Sequence, residues 1–599
     1  MSSNPLSFYH KFQSGNKETL EKDGVRDELM KFHSKYYSSN IMNLCIYGKA
    51  PIEELEKIAI DYFENIENKD VVPEDASEPH PFTPEQLGKI YKVVPNNEIR
   101  QLDIKWIVPS TKHLYKSKPG SCLSHVLGHE GEGSLLSYLI AEGLATELST
   151  YNDHILDSCD YMQTSIYLTE KGEKEYERVI KIVFACVNYL KNNDMYQYIF
   201  DEQVAMNKIN FDNQTKSTAI RSSLNIVNRM QKLVERDVDM EKILYYPYLL
   251  EEYDEEAIRA YVSAMTPENT MIFFSTKSHE DIADQTEHHY HTKYQCSDFD
   301  QAFIEELSSI SFDKLESDGT KTHNKIFHLP AKNEFIPYNS ESMKSPELNE
   351  FRQLDMSEIK NCKAWYKQDD KFDQPRCNIR VILRTDDLDH KSSAKGKVFK
   401  KLWADMAEEK LREPGYMALL AQIKYSISSS AEGISLSFSG YNDGIQNFVE
   451  FLVKEIFNQE ETKEDQQELF NNRKDLLRQD YKSVLMTNAY RRFNEFLHFV
   501  VNPRATSTDL LLEELEKFTY DDYLELKTDW LKNIVTEWQV AGHISEEFAK
   551  EMIDKCESHL ASFKTDLESD KQYVVLEPQT VNEYVVNHIN DNELNSTAI

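Results

Sequence analysis

The stretch SHVLGHEGEGSLLSYL, from Ser124 to Leu139, sets His125 and His129 four residues apart and places Glu130 directly after them. Imidazole and carboxylate are ligands that zinc takes, and a spacing of four puts both rings on one face of a helix. Zinc hydrolysis needs more than this half-site: two or three ligands at fixed spacing and a carboxylate to accept the proton of the bound water. The compact forms H-E-x-x-H and H-x-x-E-H do not occur. Gly133 stands where His129-Glu130 would need a second histidine, and Ala283 where His279-Glu280 would. Two other readings of the stretch stay open. A helix over 122–128 could run out into Gly128, with the histidines holding backbone groups. Alternatively, Gly128, Gly131 and Gly133 belong to a chain with only 17 glycines in 599 residues, and their grouping suggests that another backbone comes close.

A second cluster, EHHYH from Glu287 to His291, also carries ligand types. It follows a strand-like run in a polar segment, where a solvated or capping role fits better than a metal. No G-x-S-x-G elbow, no G-x-x-x-x-G-K-[ST] loop and no G-x-G-x-x-G after a strand is present.

Composition narrows the partners. The chain holds 68 Lys and Arg against 103 Asp and Glu, a formal charge of −35 spread along its length. That field repels nucleic acid and anionic membrane, leaving peptides or proteins as the expected ligands. The densest apolar runs, such as VIKIVFACV at 179–187, fall far short of the roughly 20 residues a membrane span requires. MSSNPLSFYHKF has no basic start and no apolar core, so it does not read as a signal peptide. Eight cysteines, at 45, 122, 159, 186, 296, 362, 377 and 556, form no C-x-x-C and no regular framework. Reduced thiols and a cytoplasmic location are the expectation.

The elements that must position these residues repeat at domain scale. An amphipathic helix, a break, an apolar strand and a turn into another helix recur at 27–63, 255–278 and 520–560, roughly 230 and 265 residues apart. Gly48 and Gly542 occupy the same place after the strand in the first and third copies. Such spacing predicts tandem α/β domains, each a sheet against helices, and not a solenoid of short repeats. Two proline-punctuated connections separate them: ENKDVVPEDASEPHPFTPEQ at 67–86 and a stretch from about 311 to 350 containing HLPAKNEFIPYN. A further strand entry, EYVVNHINDNELNSTAI, runs to the last residue, an odd place for a complete domain to finish.

The chain resembles the insulysin branch of the pitrilysin-type inverted zinc metallopeptidases. The resemblance is carried, in order, by NPLSFYHKFQSGNKETL, VRDELMKFHSKYYSSN, KVVPNNEIRQL, GHEGEGSLLSYL, YLLEEYD, LPAKNEFIP, WYKQDDKF and SFSGYND. It implies four homologous α/β domains, each with a mixed, mostly antiparallel sheet packed on helices, two in each half of a clamshell. On that plan residues 1–76 are the tail of the first, catalytic-type domain and 77–310 the second. Residues 311–350 are the inter-half linker, 351–572 the third domain and 573–599 the opening of the fourth.

The family's H-x-x-E-H and distal glutamate lie upstream of the matching region, and its assisting Arg and Tyr lie downstream. The resemblance therefore assigns this chain no catalytic residue, no metal ligand and no cofactor of its own, zinc belonging to the family's catalytic domain. What it does carry over is an exosite, where a substrate's amino-terminal end adds as a strand to a sheet edge. Its first segment corresponds to His125, Val126, Leu127, Gly128, His129, Glu130 and Gly131, with Glu130 suited to a peptide's ammonium group. Its second, Leu-Val-Gly-Gly in the family, corresponds to Leu148, Ser149, Thr150, Tyr151 and Asn152, and Thr-Tyr in place of paired glycines predicts a narrower approach.

Three functions follow as expectations. The first is a peptide-binding portion, inactive alone, that serves a separate zinc-bearing chain. The second is a truncated or split gene model of an active zinc endopeptidase degrading small peptides. The third is a noncatalytic scaffold.

Overall fold

Alternating apolar and polar residues in the strand-like runs gather into two sheets, each covered on one face by helices. The computed structural model describes residues 4, 7–10, 15–73, 78–195, 197–317, 325–333, 335–337, 350–359, 362–369, 374–384, 393–430, 432–442, 444–457, 463–487, 489–502, 505–531 and 534–560. The strand entry expected at 573–599 lies outside these.

The first sheet has seven strands: β1 (Lys89–Val93), β2 (Arg100–Pro109), β3 (Ala145–Leu156), β4 (Cys159–Leu168), β5 (Thr270–Thr276), β6 (Gln285–Thr286) and β7 (Lys293–Asp298). Their order is β3-β4-β2-β5-β1-β7-β6. Only β1 and β5 run parallel; the other pairs are antiparallel. Leu102, Ile104 and Trp106 of β2 turn to one face, where the helix Tyr176–Asn192 presents Val179, Ile180, Val183, Phe184 and Val187. A period of two thus meets a helical stripe and closes a core.

The second sheet repeats the plan with β8 (Arg352–Gln353), β9 (Cys362–Gln368), β10 (Arg376–Arg384), β11 (Lys424–Ser429), β12 (Gly433–Tyr441) and β13 (Val535–Gly542), in the order β11-β12-β10-β13-β9-β8. Again one pair, β9 with β13, is parallel. Cys377, Ile379, Val381 and Leu383 alternate inward from β10 against Val398, Phe399, Leu402 and Trp403 of the helix Ala394–Lys410. The fold class read from the sequence, mixed and mostly antiparallel sheets packed on helices, is the one found.

The third repeat copy forms as expected around β13; in the second, the helix Glu255–Ser263 and β5 form, but β5 leads into the short 3-10 turn Lys277–His279 and then β6 where another helix was expected. The first departs. Its helices, Val25–Tyr36 and Ile52–Phe63, are present but bury no residue, and Met42–Gly48 between them pairs with no strand among the described residues. The pattern specifies an extended run; a strand in a sheet also needs neighbours to take its hydrogen bonds.

The connection between the sheets is fastened to both. The buried Asn333 receives no loop-like freedom: its backbone N–H donates to the Glu202 carboxylate at 2.7 Å and its side-chain amide to the Met417 carbonyl at 2.8 Å. Lys325 pairs with Glu413 at 2.5 Å. Elsewhere Arg100 of β2 bridges Glu173 at 2.7 Å and Asp475 of the second unit at 2.6 Å.

Candidate functional site

Pro119 starts a helix that runs to Leu127, its ring supplying the helical φ at the first position. Cys122, Leu123, Val126 and Leu127 of this helix are core residues. Gly128 ends it with φ −90°, so no left-handed cap is involved. The glycine is needed for proximity: a Cβ there would lie 2.8 Å from the Ser124 carbonyl and 3.3 Å from the backbone nitrogen of Thr150. At the other end of the same helix a Cβ on Gly120 would meet the Asn152 amide at 2.8 Å. The helix is thus seated directly against β3, and the two segments expected to form the exosite are brought together.

β3 is the outer strand of its sheet, paired on one side with β4 through Leu148↔Ile166, Ser149↔Ser165, Thr150↔Thr164, Tyr151↔Gln163 and Asn152↔Met162. Its side chains alternate. Leu148 is buried and Thr150 and Asn152 are half-buried on the helix side, while Ser149 and Tyr151 are exposed on the other. Thr150 Oγ1 lies 3.1 Å from Thr164 Oγ1. Tyr151, 41% exposed, stands edge-on to Tyr161 with ring centres 6.1 Å apart. Strand side chains project perpendicular to the sheet. Thr150 and Tyr151 therefore occupy its two faces, and neither projects along the edge where a narrower approach was expected.

His129 is 2% exposed, and its Nδ1 accepts from the Gly131 N–H at 3.1 Å. Its ring lies edge-on to Tyr416 with centres 4.6 Å apart, and its Nε2 has no hydrogen-bonding partner among the described residues. Burial lowers the His125 pKa to about 4; burial first, then the neighbouring His125, lowers that of His129 to about 3. Both rings are neutral at physiological pH. They do not fit a zinc site: one nitrogen of His129 is already engaged, and no carboxylate or thiolate completes the set. Among the described residues no group of three or more His, Cys, Asp or Glu is placed to hold a metal ion. In the second cluster Glu287 accepts the backbone N–H groups of His289 and Tyr290, at 2.8 and 2.6 Å, as a turn cap.

Sequence reasoning missed what lies across the loop. The helix Arg412–Leu420 of the second unit brings Arg412 Nε to 3.8 Å from the Glu130 carboxylate, and Arg412 also donates to the Thr146 carbonyl at the start of β3. Tyr416 Oη donates to the Gly128 carbonyl at 3.3 Å. The connection contributes His328, whose backbone N–H donates to the Gly133 carbonyl at 3.0 Å and whose ring fills the space a Cβ on Gly133 would take. The loop glycines therefore accommodate this chain's own β3 and connection. Glu130 is half-buried, and burial raises its pKa against the pull of Arg412. Residues 412 and 416 lie too far along the chain for any local pattern to join them to this loop.

Residues 25–207 match the family description "Peptidase M16 inactive domain" and residues 211–514 match "Middle or third domain of peptidase_M16". The second match alone covers just over half of the chain, which belongs to the peptidase M16 family as an insulysin-like member. A Schizosaccharomyces pombe protein named as a zinc protease is 33% identical over 564 residues, covering 93% of this chain and 56% of that protein. The A-factor-processing enzyme of Saccharomyces cerevisiae is 29% identical, covering 91% of this chain and 51% of the enzyme. The insulin-degrading enzyme of Homo sapiens is also 29% identical, covering 93% and 53% respectively. The chain thus spans about half the length of the curated relatives it matches. The crystal structure of pitrilysin superposes with a TM-score of 0.61 at 22% identity, over 92% of this chain and 56% of pitrilysin, which fixes the fold.

Proposed function

We propose that this chain is the peptide-holding portion of an insulysin-like peptidase, with the zinc chemistry supplied by a separate polypeptide. Along Leu148–Asn152 an extended peptide adds its amino-terminal residues to the open edge of β3, main chain to main chain. Its ammonium group sits at Glu130, where it competes with Arg412 for the carboxylate. The observation that carries this reading is the position of β3: an outer strand with the Gly128–Gly131 turn against Thr150. The relatives named for insulin degradation and A-factor processing support peptides as the ligand class. On this reading residues 77–310 are the exosite-bearing domain, 311–350 the inter-half linker and 351–572 the domain opposing it.

Titrating a fluorescent peptide against the chain tests both contacts. Glu130→Ala should weaken binding about three- to tenfold, because a charge-assisted hydrogen bond is lost but Arg412 already shares the carboxylate. A peptide N-methylated on its first residues should bind at least tenfold more weakly. Equal affinity in both comparisons would remove β3 and Glu130 from the reading. The eight cysteines are all free and five are buried, which suits the reducing cytoplasm. Fractionation that finds the chain in an oxidising compartment would overturn that placement. No helix among the described residues is long and apolar enough to cross a membrane.

A further inference from the structure

The first repeat copy has the core pattern of the third, yet among the described residues none of its apolar side chains is buried. Counted from Gly48 and from Gly542, the positions seven, ten, eleven and fourteen residues on are Leu55, Ile58, Ala59 and Tyr62 in one copy and Ala549, Met552, Ile553 and Cys556 in the other. All four are fully buried in the third copy; in the first, Tyr62 is 76% exposed. Two, four and six residues before the glycines stand Ile46, Leu44 and Met42 against Val540, Trp538 and Thr536, each of the latter three at 0% exposure. Leu44 is 42% exposed. Leu29, Phe32, Ile52 and Ile60 add to the same uncovered surface.

The backbone agrees with the side chains. Asn43 to Gly48 makes no backbone hydrogen bond to the described residues, although Met42 leads in with extended torsions. Buried or not, a strand leaves these groups unpaired at both edges only when its neighbours are elsewhere. The sister copies show what those neighbours are. β5 lies between the antiparallel β2 and the parallel β1, and β13 between the antiparallel β10 and the parallel β9.

We propose that residues 42–48, with the helices 25–36 and 52–63, form a docking surface that completes an α/β sheet in a separate polypeptide of the same family. The partner presents a sheet open at a central position, with one strand to run antiparallel to Met42–Tyr47 and one to run parallel, and an apolar face for the two helices. Relatives with about as much chain again beyond the matched half are the source of such a sheet. This deepens the reading of a separate zinc-bearing chain by naming the surface that receives it, and it does not depend on peptide binding at β3.

The test mixes the full 599-residue chain with the amino-terminal part of the Schizosaccharomyces pombe relative, cut ahead of the stretch the two share. Complex formation is followed by sedimentation and amide exchange. The expected result is a one-to-one complex in which the amides of residues 42–48 gain at least tenfold protection. Leu44→Pro should weaken the complex at least tenfold without changing the melting temperature of the chain, and Tyr62→Asp should do the same from the helix side. Peptide affinity at β3 should be unchanged in both variants, so that failure of the peptide site and failure of docking are read separately. Absence of a complex overturns the proposal. So does self-association that Leu44→Pro abolishes, since a second copy would then be the occupant.

Discussion

Residues 42–62 and 536–556 carry one apolar pattern in one register, and the structure gives them opposite surroundings. In the third copy the strand is third from one side of six and the helix behind it is dry on one face. In the first copy the same kinds of residue face solvent. Hydrophobic periodicity therefore specifies which face of an element seeks cover, and a partner decides whether it finds any. Fully burying each large apolar side chain contributes roughly 1.5–3 kcal/mol, enough over four or five residues to offset much of the roughly 4–15 kcal/mol that association costs.

Substitutions at matched positions sharpen this contrast. Trp538 has no exposed surface and its indole N–H donates to the buried Glu557 carboxylate at 2.6 Å. Trp538→Ala should cost about 3–5 kcal/mol in denaturant unfolding, and Leu44→Ala, at the equivalent position, no more than about 0.5 kcal/mol. A cost above about 2 kcal/mol for Leu44→Ala would show that the first copy is covered within its own chain.

Glycines offer the next comparison. Gly24 and Gly133 have φ of +80° and +74°, but a Cβ on Gly24 meets nothing within 4 Å while one on Gly133 collides with the His328 ring. Gly24→Ala should cost about 1 kcal/mol from backbone strain alone. Gly133→Ala should cost about 2–4 kcal/mol and make the connection near His328 more sensitive to protease. Equal effects would mean that the connection shifts freely.

The smallest effect concerns helix starts. Asp522 in the third copy is paired with Lys395 at 2.7 Å and closes a capping box with Thr519, and these contacts, Lys395 first, lower its pKa to about 2. A depressed carboxylate pKa stabilises the fold above the ordinary value of 3.8 and ceases to do so as pH falls towards 2. Asp522→Asn should lose up to about 1 kcal/mol at neutral pH and match the parent at pH 2. Asp27→Asn should change little, because the helix Val25–Tyr36 begins at Gly24 without a side-chain cap. A pH-independent difference for Asp522→Asn would assign its effect to packing instead.

Local pattern was enough to locate β5, β13 and the helices before them, because the period of the apolar residues and, for β13, the glycine at its end are properties of short windows. It also isolated the stretch around Gly128 as a place of close approach. It left open what approaches. Thr150 and His328 reach the loop through sheet order and the course of the connection, and Arg412 and Tyr416 reach it from another unit. The resemblance joined 125–131 to 148–152, a pairing that no spacing rule would have made. In the first copy the sequence specified an extended apolar run, but Met42–Gly48 pairs with no strand among the described residues, and no local pattern could show whether neighbours take its hydrogen bonds.

Each sheet contains one parallel pair, and that topology sets a timetable. β1 waits for β5 and β9 waits for β13 across about 175 and 165 residues of intervening chain, which at a ribosomal rate of roughly 5–20 residues per second is about 8–35 s. During that interval the hairpin β3–β4 can form locally, while Ile104 and Val381 lack the strand that later flanks them. Both units are therefore exposed to aggregation during synthesis for longest at their centres. Pulsed exchange labelling during refolding should find the amides of β5 and β13 among the last to be protected.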